Sequence, residues 1–270
     1  MESLLYHYTS IDRLAQILKY RTIRLSPLDR MDDLQENKTK DIQNLGRFFF
    51  ASCWTDDEQE SIPMWNMYTD IKAGVRIGLP KNPFTRHLTT VEEMKSVYGA
   101  QVSEDSHDVE TFLNIASLIK AGVFSPQAWG GDILRKIEYT DNVQMLEPTI
   151  ATIADGRIQM DMASIGVYKN VHWEFQNEWR YLMMFLPLDL KAPVETIENQ
   201  MAIMINRLYL GELEPPFDHF DLSISDEAMN QMVITPSPKM TDGSRIILDT
   251  IVSAFNPSAT IKDSSLVGKI

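Results

Sequence analysis

The sequence predicts an α+β fold with helical insertions, and three stretches carry that prediction. Leu4-Leu-Tyr-His-Tyr8, then Ile11, Leu14, Ile17 and Leu18 at helical spacing, then Thr22-Ile-Arg-Leu25, read as strand, helix, strand. Gly74-Val-Arg-Ile-Gly-Leu79 alternates Val75, Ile77 and Leu79 with Arg76 and Gly78, the period of a strand with two unequal faces. Trp179-Arg-Tyr-Leu-Met-Met-Phe-Leu186 is too short and too continuously apolar for a free amphipathic helix, and Pro187 closes it. It reads as a central strand buried on both faces.

Each element has a local reason. Ser10 is placed to cap the first helix, Asp12 suits its first turn, and Lys19 and Arg21 suit its end. From Ser26 to Gly46 the chain turns polar and reads as a loop and an exposed helix. Its charges form a solvated face or a mobile cover, carrying Met31, over a site. Arg47-Phe-Phe-Phe-Ala-Ser-Cys-Trp54 is strand-like, and Ser61 with Pro63 starts a helix bearing Trp65 and Tyr68 three positions apart. In the middle, Val97–Val102 and Lys136–Tyr139 are expected strands, whereas Val109–Lys120 and the region from Ile150 to Tyr168 are expected helices. Beyond Pro187 come a helix from about Pro193 to Asn206, strands at Leu208–Gly211, Asp221–Ile224 and Met232–Thr235, and a helix from Asp242 to Phe255. With no repeat, low-complexity tract or long linker, residues 1–270 read as a single domain with a helical insertion at about 105–168.

Composition narrows the function classes. Of 270 residues, 44% are hydrophobic and 23% charged, enough for a sizeable core. Lys and Arg number 25 against 38 Asp and Glu, and the net charge of −13 argues against a general nucleic-acid or anionic-membrane binder. The single cysteine, Cys53, allows no intrachain disulfide and no multi-cysteine zinc site, and fits a reducing cytosol. No apolar run approaches the ~20 residues of a membrane span, and Met-Glu-Ser-Leu-Leu-Tyr-His lacks the regions of a signal peptide. The expected location is the cytoplasm. His87 and His107 have no partner at a ligand interval, so no metal is expected.

The candidate site residues each have two readings. Glu178 stands at the mouth of the core strand, with Gln176 two positions earlier pointing the same way off an extended backbone. It is either a carboxylate desolvated by Trp173, Phe175 and Trp179 and poised for chemistry, or a strand-edge Glu paired with Arg180 or Lys169. His7 is a ligand-facing imidazole or a core imidazole satisfied by a backbone carbonyl. Trp65 and Tyr68 are core aromatics or a stacking platform. Cys53 reads as a buried structural thiol, since no cation or histidine adjoins it in sequence.

Leu5-Tyr-His-Tyr-Thr-Ser10 with its Ile/Leu helix and Arg21-Thr-Ile-Arg-Leu25 resembles the opening of the ADP-ribosyltransferase superfamily in its histidine-tyrosine-glutamate branch. The whole pattern resembles still more a bacterial family catalogued as a domain of unknown function. Its motifs correspond here to His7-Tyr-Thr-Ser10, Phe49-Phe-Ala-Ser-Cys53, Trp65-Asn-Met-Tyr68 and Trp173-Glu-Phe-Gln-Asn-Glu-Trp-Arg180, with Asp263–Gly268 near the end. The resemblance implies an ADP-ribosyltransferase-like split β-sandwich that uses NAD as substrate. It implies that His7 holds a ribose hydroxyl, Tyr68 stacks on nicotinamide with Trp65 nearby, Thr9, Ser10 and Ser52 line the pocket, and Glu178 bonds the nicotinamide ribose. Tyr8 departs from the glycine that follows the histidine in polymerases. Breaking the nicotinamide–ribose bond develops positive charge on the sugar, so a nearby carboxylate and fixed geometry suffice without metal. Gln176 would orient the acceptor, and Glu174 is a candidate base. The expected activity is ADP-ribosyl transfer to a protein or nucleic-acid acceptor by a toxin or phage-defence effector, with an inhibitory partner. A non-catalytic nucleotide-binding or protein-interaction module and an NAD glycohydrolase are the alternatives.

Overall fold

The computed structural model describes residues 3–98, 107–154, 157–187 and 194–270. Among them, the chain is mixed α and β around a nine-stranded sheet. In chain order its strands are β1 (Leu4–Ser10), β2 (Thr22–Pro27), β3 (Phe49–Thr55), β4 (Gly74–Pro80), β5 (Leu134–Lys136), β6 (Glu178–Met184), β7 (Phe220–Ser223), β8 (Val233–Pro236) and β9 (Thr260–Ile261). Three helices matter most here: α1 (Ile11–Tyr20), α2 (Ile62–Tyr68) and α3 (Asp242–Phe255).

The sheet branches at β3. One edge of β3 is paired along its whole length with antiparallel β6, from Glu178 opposite Thr55 to Met184 opposite Phe49. The other edge must therefore serve two strands. β2 takes its beginning, Ser26 opposite Ala51 and Pro27 opposite Phe50, and β1 takes only its end, Tyr6 opposite Thr55. From there β1 runs on with β4 through seven pairs, then to β8 and parallel β9, while β2 continues to β7. Between the two attachments, around Cys53, that edge of β3 has no strand beside it among the described residues. The gap is where the site forms.

Alternation along β3 and β6 sends their side chains into two cores. Phe50, Trp54, Tyr181 and Met183 join the larger cluster with Leu5, Val75, Ile77 and Leu79, covered by Leu14 and Leu18 of α1 and Leu248 and Val252 of α3. Phe49, Ala51 and Met184 join a second cluster with Leu28, Ile42, Leu45 and Leu208. Burying such side chains contributes roughly 1.5–3 kcal/mol each, and both faces of β3 and β6 draw on it. Ser10 caps α1 by accepting from Arg13 N at 3.2 Å, and Arg21 ends it in the left-handed region at φ 55°. Ser61 caps α2 through Met64 N, with Pro63 inside the first turn. Gly74 has no side chain because a Cβ there would stand 2.3 Å from Thr69 Cβ, which lets the chain leaving α2 lie against β4.

Several sequence expectations need correction. β4 is buried at all seven positions, Arg76 included, so its two faces are not unequal. Beyond the end of β2 at Pro27, residues 28–46 hold 3₁₀ turns at Leu28–Arg30 and from Leu45, with no exposed α-helix. The middle region is not a helical insertion. Ala151–Ala154 pairs with Arg157–Met160, Tyr168–Asn170 pairs in parallel with Glu138–Thr140, and Val109–Thr111 is a strand ahead of a helix over Ile115–Ala121. Alternating short apolar and polar residues at 150–160 fit a two-stranded ribbon as well as a helix face, and the ribbon wins because Asp41 accepts from the backbone of Ile150 and Ala151. Val97 and Tyr98 end a helix over Val91–Tyr98, and the remainder of that expected strand lies outside the described residues. Leu208–Gly211 is not a strand but the end of a helix over Val194–Tyr209 and its closing turn, and Pro193 is outside the described residues. No helix among the described residues is long and apolar enough to cross a membrane.

Candidate active site

Two hollows open at the branch. The inner one, about 90 Å³, is walled by His7, Tyr68, Lys169, Gln176, Glu178 and Arg180 among others. The outer one, about 370 Å³, runs between β1, α1 and β2 and includes Thr9, Arg13, Arg24 and Ser52. His7, Tyr8, Met31, Asp32, Cys53 and Tyr68 belong to both, so the hollows adjoin.

His7 lies on the Leu5 and Thr9 side of β1 and reaches the hollow because β1 has peeled away from β3. Its Nδ1 is 2.8 Å from the Cys53 carbonyl, an acceptor that β1 and β2 leave without a strand partner. A carbonyl only accepts, so Nδ1 carries the proton and Nε2 presents a lone pair. Burial lowers the His7 pKa, outweighing the Cys53 bond that raises it, and nearby Arg13 lowers it further. The neutral ring, tilted on Trp54 at 5.1 Å, is an acceptor for a hydroxyl. The backbone carbonyl thus satisfies one nitrogen of His7 and leaves the other unengaged by it.

Opposite His7 lies a buried charge quartet. Glu178 Oε1 accepts from Arg180 Nε at 2.6 Å, and its Oε2 accepts from Arg180 Nη2 at 3.2 Å and Lys169 Nζ at 3.0 Å. Lys169 also meets Gln176 Oε1 at 2.7 Å and Glu36 at 3.1 Å, and Arg180 pairs with Glu36 as well. Two carboxylates balance two cations, and all four side chains are buried. Burial would raise the Glu178 carboxyl, but Arg180 and Lys169 overcome it and hold it at about 2. The same carboxylates keep Lys169 raised although burial would lower it. The Cys53 thiol is raised chiefly by burial, with the negative charge of Glu178 adding to the rise, and is no nucleophile in this state. A carboxylate has about four acceptor positions, and Arg180 and Lys169 take three of those of Glu178.

Gln176 and Glu178 converge on Lys169 by a route other than an extended backbone. Gln176 ends a 3₁₀ turn over Val171–Gln176, and Asn177, in the left-handed region at φ 41°, reverses the chain into β6. Gln176 Nε2 donates to the Tyr68 hydroxyl, and Asp32 lines both hollows beside Tyr68. Burial is the largest cause raising the Tyr68 pKa, with Asp32 and Glu178 adding to it, so it stays a phenol. Trp173 and Phe175 do not desolvate Glu178 as expected: Phe175 is 40% exposed, and Trp173 lies under Lys169 at 4.7 Å.

No family model, curated protein or solved structure matches the chain. The functional reading therefore rests on these residues. His7, Tyr68, Gln176 and Glu178, from three separated stretches, line the inner hollow, and Thr9 and Ser52 line the outer one. Trp65 does not join them. It is fully buried, packs edge-on to Tyr8 at 4.9 Å, and donates Nε1 to Glu60 at 3.0 Å, so it is a core aromatic anchoring α2. Ser10 faces neither hollow and acts as the α1 cap. Glu174 is exposed and outside both walls. Tyr8 lines both hollows, and its hydroxyl accepts from Ser61 N at 3.0 Å. Sequence reasoning missed Glu36 and gave Asp32 no role of its own. Their only signal was a polar run that also carries the apolar residues Met31 and Leu34. Among the described residues no group of His, Cys, Asp and Glu is placed to hold a metal.

Proposed function

We propose that the chain binds NAD at the branch of its sheet and transfers ADP-ribose from it to a macromolecular acceptor or, as a glycohydrolase, to water. The observation that supports this reading is the convergence of His7, Tyr68, Gln176 and Glu178 on one hollow, the arrangement the family resemblance calls for. The divergence of β1 and β2 from one edge of β3 is in keeping with a split ADP-ribosyltransferase-like sandwich. In this reading His7 Nε2 accepts a ribose hydroxyl and the Tyr68 ring faces nicotinamide. The outer hollow takes the pyrophosphate beside Arg13. Arg24 is held by Asp221 and Arg30 by Asp218, whereas Arg13 has no ion pair among the described residues. A protein of net charge −13 needs such a cation to receive a dianion. A toxin or phage-defence role with an inhibitory partner belongs to the same proposal.

The three acceptor positions of Glu178 that Arg180 and Lys169 take favour a second reading, a non-catalytic nucleotide-binding module. Incubating the pure protein with NAD and following nicotinamide release separates the two. Release supports transfer or hydrolysis; NAD binding without release supports the module; neither binding nor release refutes both. Labelled NAD added to cell lysate then shows whether ADP-ribose is attached to a macromolecule or set free.

A further inference from the structure

Three carboxylates line the two hollows: Glu178, Asp221 and Asp32. Glu178 is bound by Arg180 and Lys169, and Asp221 by both Arg24 Nε at 2.9 Å and Arg24 Nη2 at 3.0 Å. Asp32 has no cation partner among the described residues and lines both hollows together with Tyr68. Tyr68 accepts from Gln176, which Lys169 holds, so a chain of hydrogen bonds runs from the quartet to Tyr68 in the wall that Asp32 shares.

We infer that Asp32, not Glu178, is the carboxylate that works on the reacting groups, as the general base that deprotonates the acceptor. The inference rests on the ADP-ribosyl-transfer reading and assigns Glu178 a positioning role through Lys169 and Gln176. In the step, the bond between ribose C1′ and nicotinamide N1 breaks and its electron pair stays on N1, which neutralises the pyridinium. The acceptor oxygen bonds C1′, and its proton passes to the Asp32 carboxylate. Position follows from charge: Glu178 sits in a neutral quartet, so only Asp32 adds uncompensated negative charge where the sugar becomes cationic and the hydroxyl must lose a proton.

The test follows nicotinamide release from NAD by wild type and Asp32→Asn, with water and with added sodium azide as acceptors. Melting curves confirm that the exposed, isosteric substitution leaves the fold intact. A general base contributes about 10²–10⁴-fold, so Asp32→Asn should slow release in water by about a hundredfold or more. Azide is already an anion and needs no base, so formation of azido-ADP-ribose should largely recover in the variant. A variant as fast as wild type in water would overturn the inference and spare the reading. An equal loss with water and azide would overturn the base assignment. A loss in Glu174→Gln in place of Asp32→Asn would move the base there. Absence of release from wild type would remove the reading and the inference together.

Discussion

Glu178→Gln keeps the shape of the side chain and removes one charge from the quartet of Glu36, Lys169, Glu178 and Arg180. The remaining Glu36 cannot balance both cations, and Arg180 is 0% exposed, so water cannot screen the surplus. The amide also turns a donor toward groups that only donate. Breaking a buried pair from one side typically costs about 3–5 kcal/mol. For a chain of this length a kcal/mol moves the melting temperature by about 2 °C, so calorimetry at neutral pH should find a drop of about 6–10 °C. Adding Lys169→Met leaves one acid, Glu36, with one base, Arg180, and should restore about 0.5–3 kcal/mol through coupling between neighbours. The sign in pH is fixed by the lowered carboxyl. The stabilisation is present above the ordinary carboxylate range and lost only as pH falls through about 2, so the two proteins should still differ at about pH 3. A melting temperature of Glu178→Gln within about 2 °C of wild type would refute the buried-quartet argument. It would return Glu178 to the role of a replaceable, site-facing carboxylate.

Other expectations concern the groups around the quartet. His7 is buried neutral with a lowered pKa, so the unfolded chain takes up its proton first on acidification. Stability should therefore fall as pH drops below about 6.5, and a melting series in which His7→Gln shows the same slope as wild type would count against this. Glu60 accepts from Ser264 Oγ, Ser265 N, Ser265 Oγ and Trp65 Nε1, so Glu60→Gln sets its amide against donors. Urea unfolding should show a loss of about 1–3 kcal/mol, with no change if those contacts are dispensable. Arg13→Ala should raise KM for NAD several-fold in the nicotinamide-release assay while leaving the melting temperature unaltered, because the side chain is exposed and without an ion pair among the described residues. An unchanged KM would remove Arg13 from the pyrophosphate site.

The regular elements were legible where short-range chemistry decides them. The cap at Ser10, Pro63 in α2, the apolar run of β6 and the helix Asp242–Phe255 all emerge as expected. Residues 26–46 were not legible, because their placement is set by partners far away in sequence. Leu34 is 75% exposed while Asp33 and Glu36 are buried, the reverse of their hydropathy. Lys169 and Arg180 create a place where burying Glu36 is favourable, and no window around Glu36 contains that information. His7, Tyr68 and Glu178, which line the inner hollow, could be singled out from the sequence, but not the state of Glu178. Whether a carboxylate next to Trp179 and Arg180 is free or saturated depends on Lys169 and on the turn at Asn177 that brings both to one point.

The branch of the sheet accounts for the placement of the site itself. Backbone carbonyls removed from water need a partner, and an antiparallel neighbour usually supplies it. Along the edge of β3, β2 stops at Ala51 and β1 arrives only at Thr55, so Cys53 falls in the interval without a strand. His7 supplies the missing donor from β1 at 2.8 Å, a bond that a residue with no side-chain N–H at that position would forgo. Leaving the carbonyl unpaired would cost about 1–3 kcal/mol, so the fold itself selects a donor at position 7. Of the donors that fit, neutral imidazole is the one whose ring carries a second, opposed nitrogen free to accept. The same side chain that closes the gap in the sheet therefore keeps an acceptor facing the hollow, and the divergence of β1 and β2 creates both the need for it and the space beside it.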